Sequence, residues 1–168
     1  MFAIVLSATA DELPGDTSVN NAALAVESAP FIVNVEWIQN GNTPVQTHQN
    51  VVLSHSFLRR DGYEVGEVVC SGTKQSHTLA SRQVFIGRVL TIKPGAVDVT
   101  GKVKLIEVSA QDTHQVGTRD SGPDWCPSRT VETAGFSVSG LVVEIRQKGV
   151  TVIPLDANNS IRITPVSD

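Results

Sequence analysis

The strictest constraint on this chain is a two-residue rhythm. In Phe31-Ile-Val-Asn-Val-Glu-Trp37, positions 31, 33, 35 and 37 are apolar while 34 and 36 are polar. That is the pattern of a strand with one buried and one wet face, because successive side chains leave a strand on opposite sides. Pro30 and Gln39-Asn-Gly-Asn-Thr-Pro44 punctuate it. Val51, Leu53 and Phe57 continue the rhythm with Ser54 and Ser56 opposite, and His55 shares the apolar parity, which predicts a partly buried strand histidine. Arg60-Asp-Gly-Tyr63 carries an Asp-Gly hairpin signal, predicting a turn there and a return strand over 63–70. Further strands are expected over 83–93, 96–100, 102–109, 130–139, 141–147, 150–155 and 161–165.

No segment of helical length and 3.6-residue period lies between these runs, which argues against βαβ units. Turn signals spaced roughly every eight to twelve residues point instead to an all-β fold. The expected architecture is an antiparallel β-sandwich of about 8–10 strands, with a closed β-barrel as the alternative. A short N-terminal helix over 20–27 is possible, with Ser18 as its cap.

Composition agrees. Aromatic residues are only 5% of the chain and hydrophobic residues 40%, so the core must be built from Val, Ile and Leu, which favour strands. A length of 168 residues fits one domain, read here as 11–168 behind a distinct segment 1–10. That segment, Met-Phe-Ala-Ile-Val-Leu-Ser-Ala-Thr-Ala, ends in Ala8-Thr9-Ala10 and reads either as a truncated secretory signal or as a first strand. The formal charge is -4 and Arg59-Arg60 is the only adjacent basic pair, so binding nucleic acid through counterion release is not expected. No stretch approaches the apolar length of a transmembrane helix.

Cys70 and Cys126 are the only thiols, 56 positions apart, a spacing that fits neither a C-x-x-C redox pair nor clustered zinc ligands. The leading expectation is one disulfide, which implies an extracytoplasmic compartment, periplasmic or secreted. Two free thiols or a nucleophilic Cys126 are the other readings. The bond would tether residues 111–129, a stretch without usable periodicity that reads as a long loop. Its His114, Arg119, Asp120, Asp124 and Trp125 are the candidate binding residues. Trp125 either covers the disulfide or is an exposed binding aromatic.

Metal and catalytic signals are sparse. Asp112, His114 and Asp120 are weak candidates for a metal site, because a loop can fold carboxylates and an imidazole around one ion. His48 and His55, seven apart, would face opposite sides of a continuous strand. There is no G-x-S-x-G elbow, Walker loop or G-x-G-x-x-G, and no cofactor is implied. Asn158-Asn-Ser160 is a formal glycosylation sequon.

Gly87-Arg-Val-Leu-Thr-Ile-Lys-Pro94, Gly101-Lys-Val-Lys-Leu105, Pro127-Ser-Arg-Thr130 and Gly140 resemble the order of strand and turn residues in the core domain of bacterial secretins, the ring-forming outer-membrane channels. The resemblance covers residues 87–140 and implies a place in an envelope assembly. Three functional expectations follow. The first is a non-enzymatic extracytoplasmic module that binds a protein or cell-envelope component through the tethered loop. The second is a structural subunit of a pilus or secretion apparatus, forming oligomers through its edge strands. The third is a hydrolase or metal-dependent enzyme built on Asp112, His114 and Asp120.

Overall fold

A computed structural model describes residues 30–41 and 43–166. The expected signal or strand at 1–10 and the helix over 20–27 lie outside these residues. The chain is all-β, with two antiparallel four-stranded sheets packed together as a sandwich. In chain order the strands are β1 Ile32–Gln39, β2 Thr43–Val52, β3 Phe57–Gly72, β4 His77–Pro94, β5 Leu105–Ser121, β6 Ser128–Glu144, β7 Thr151–Pro154 and β8 Asn159–Pro165. One sheet has the order β2-β1-β8-β7; the other, β3-β4-β5-β6, curls until its outer strands meet.

The alternation read in β1 is realised: Val33, Val35 and Trp37 are fully buried. They pack in one core with Ile153, Ile161 and Ile163 of their own sheet and with Leu90, Ile92, Ile106 and Val108 of the other. Burying such side chains contributes about 1.5–3 kcal/mol each, the main force joining the sheets. The Trp37 indole N–H donates to Asn159 Oδ1 at 3.0 Å, and Asn159 is held in turn by Asp156, so the one polar atom of the largest core residue is satisfied.

The second sheet extends far beyond this core. β4 has 18 residues, roughly 60 Å at about 3.3 Å per residue, whereas no strand of the first sheet exceeds 10 residues. Its lower half, residues 87–94 of β4 against 106–113 of β5, forms the sandwich wall. Above the row Gly62, Gly87, Thr113 and Gly135, β4 and β5 part, and the hairpins β3–β4 and β5–β6 continue as an arm. The arm is rejoined on the opposite side, where Val68 of β3 pairs with Arg129 of β6.

Several expectations are corrected here. Asp61-Gly62 makes no turn: β3 runs unbroken through it, and Gly62 serves where the β3 and β4 backbones approach closely. His55 is an exposed turn residue whose Nδ1 lies 3.0 Å from Ser54 Oγ, because the chain turns at Leu53–Ser56 before β3 begins. The expected strand at 96–100 is reduced to one bridge, Val97 with Val103. The strands expected at 130–139 and 141–147 merge into β6, with Gly140 accommodated at φ 66°. Residues 111–129 form no long loop: they are the upper half of β5, a short turn and the start of β6. Both faces of this hairpin are wet, so it has no apolar alternation to read.

Candidate functional site

The arm tip is made by two turns. Thr73 and Ser76 exchange backbone hydrogen bonds of 2.8 and 3.1 Å around Lys74-Gln75, closing β3–β4. The β5–β6 turn over 122–127 uses Gly122 at φ 89°, where a side chain would stand 2.3 Å from the Cys126 carbonyl oxygen, and Cys126 N–H donates to Pro123 O at 2.8 Å. Cys70 and Cys126 form a disulfide, with Cα atoms 5.4 Å apart, that binds the two turns together. The Cys70 N–H donates to Ser128 Oγ at 2.8 Å beside it.

Beneath the cystine lies Glu67, 1% exposed. Its carboxylate accepts the Val131 N–H of β6 at 2.6 Å and the Arg82 guanidinium N–H of β4. The backbone donor from Val131, and secondarily Arg82, hold the carboxyl below its ordinary pKa range. One anion thus ties β3 to strands of both hairpins.

The outer surface of the tip carries two exposed apolar side chains among polar ones. Residues opposed in an antiparallel pair share a face, so Leu79 stands beside Cys70. Leu79 is 62% exposed and Val68 41%, while the half-buried Trp125 ring meets His77 edge-on at 5.8 Å between centroids. Next to Val68 opens a cleft of about 390 Å³ lined by Asp120, Asp124 and Arg129. No protein-family model, curated protein or solved structure matches the chain.

Of the residues singled out in the sequence, the structure brings Cys70, Cys126, Asp120, Asp124 and Trp125 to the tip. Arg119 lies on the shaft, paired with Glu132 at 2.6 Å, and Asp120 is 3.7 Å from Arg129. His114 does not reach the tip. It lines a separate cleft of about 430 Å³ at the glycine row, with Asp61, Tyr63, Arg88 and Asp112. There Asp112 pairs with Arg88 at 3.3 Å, and the Arg88 guanidinium lies 5.7 Å from the Trp37 ring. Hydrogen bonding from Arg59 holds the Asp61 carboxyl below its usual range, and burial lowers His48 nearby.

Asp112 and His114 share a strand face, but Asp120 is eight residues on, roughly 27 Å along an extended strand. One ion cannot span that distance. Among the described residues no group of three or more His, Cys, Asp or Glu is placed to hold a metal. Nothing in the sequence pattern points to Glu67, Arg82 or Leu79. Glu67 and Arg82 are 15 positions apart, and only the register of β3 against β4 brings them together.

Proposed function

We propose that this chain is a non-enzymatic, extracytoplasmic binding module that presents the cystine-clamped tip to a protein or cell-envelope component. The observation that carries this reading is the exposure of Leu79 and Val68 on a doubly clamped scaffold remote from the core, at the same tip where Trp125 packs on His77. Apolar side chains there add nothing to the core cluster, and an exposed apolar patch on a rigid support is the common signature of a protein contact. The disulfide and the Glu67 clamp order the patch before contact, which lowers the entropy cost of binding.

The test is retention of envelope components from the source cells on the immobilised protein. Trp125→Ala combined with Leu79→Ser is expected to lower recovery of the bound component roughly tenfold or more. Equal recovery on the folded double variant would overturn the tip as the contact. The compartment is tested separately by titrating thiols in unreduced, denatured protein from its native source. None is expected to be free; two free thiols would remove the extracytoplasmic reading.

A further inference from the structure

Most free strand edges of this fold are blunted. β2 carries Pro44 and two register breaks, and β7 has four residues and ends at Pro154. β6 has Gly140 at φ 66°, and upper β5 breaks register between Gln115 and Gly117. Prolines, bulges and short length are the usual guards against pairing with another chain. The upper half of β4, residues 77–86, has none of them. Its register with β3 is unbroken, it contains neither Pro nor Gly, and no described strand pairs with its other side. Residues 77–83 are all exposed.

Hydrogen-bond parity shows what this edge offers. Thr73 and Ser76 bond to each other, and bonded pairs alternate along an antiparallel hairpin. Thr78, Ala80, Arg82 and Val84 therefore bond to β3. His77, Leu79, Ser81, Gln83 and Phe85 direct their N–H and C=O groups outward, away from β3.

We propose that this edge pairs with the same edge of a second copy, antiparallel about a two-fold axis at Ser81. This register opposes outward-bonding residues throughout: Ser81 to Ser81, Leu79 to Gln83 and His77 to Phe85. The pairs between them are Thr78 with Val84 and Ala80 with Arg82. Small hydroxyls meet at the axis, aromatic rings meet at the ends, and no like charges stand directly opposite. Residues 77–86 contain no carboxylate and one permanent cation, Arg82, which is already bonded to Glu67 of its own chain; Lys74 lies in the turn, outside the paired residues. The edge is therefore self-complementary, and the dimer is closed and isologous.

Size-exclusion chromatography with light scattering on the full chain, across a wide concentration range, tests this. The wild type is expected to reach twice its 17.9 kDa mass. Ser81→Pro removes an outward N–H while leaving the β3 ladder intact, and Ser81→Lys puts two ammonium groups at the axis; both are expected to remain monomeric. Ser81→Cys is expected to cross-link to itself under mild oxidation. A wild type that stays monomeric at the highest concentration overturns the proposal, as does a dimer that persists in folded Ser81→Lys. Ser81→Lys decides the matter if the proline variant misfolds.

Discussion

At the scale of single residues, the base of the arm is built on a row of glycines. Gly87 and Gly135 hold φ near 142° and 141°, and with Gly62 they lie in one row across the sheet. A Cβ on Gly87 would lie 2.2 Å from the Asp61 carbonyl oxygen and 2.6 Å from the Gly62 Cα; on Gly135 it would lie 1.9 Å from the Asp112 oxygen. The obstructing atoms are backbone, so no side-chain rotation relieves the clash, and the positive φ adds strain for any L side chain. Gly87→Ala is accordingly expected to destabilise the protein by about 3 kcal/mol or more, measured by urea unfolding. A change within about 0.5 kcal/mol, the size of an ordinary surface substitution, would show that the strands do not cross this closely.

At the scale of elements, the two hairpins are separate ladders held together at the tip by the cystine, one backbone pair and Glu67. The Glu67 pKa is lower in the folded chain than in the unfolded one. Its stabilising contribution is therefore fully present above the unfolded carboxylate value, about 4.3, and is lost as pH falls through the folded value. Hydrogen exchange should show the Val131 amide losing protection on acidification before the amides of β1 and β8 do. Glu67→Gln should remove that pH dependence, and Val131 protection that falls only together with the core amides would count against the clamp. The same contrast explains what could be read from sequence. β1, β7 and β8 lie over a core with one face buried, so their alternation was legible, as were Cys70 and Cys126 as a pair. Upper β4 is exposed at every position from 77 to 83 and upper β5 at most of its positions, so their sequence carries no apolar period, and the buried face of upper β3 is interrupted by the charged Glu67. Gly62 and Gly140 looked like turns because a strand crossing or an irregularity within a strand uses the same residue type as a hairpin.

At the scale of the whole molecule, apolar burial and the tip clamp reside in different places. The fifteen buried residues of the core cluster all come from residues 33–53, 90–110 and 145–163, and none from the arm above the glycine row. The arm should therefore respond to loss of its cross-link while the sandwich does not. Closing a loop of 56 residues is worth about 4 kcal/mol in the chain-entropy model, and here that constraint acts on two hairpins otherwise joined by few bonds. The two tryptophans report on the two regions: Trp37 is fully buried in the sandwich and Trp125 is half-buried at the tip. Under a reductant, Trp125 emission should shift to the red and become open to acrylamide, while Trp37, isolated in Trp125→Phe, stays blue-shifted and protected. In denaturant, the reduced protein should then lose the Trp125 signal at lower concentration than the Trp37 signal, with the oxidised protein bringing the two midpoints closer. Coincident midpoints in the reduced protein would mean that the core cluster governs the arm directly, and that the cystine only adds to a stability the whole chain already shares.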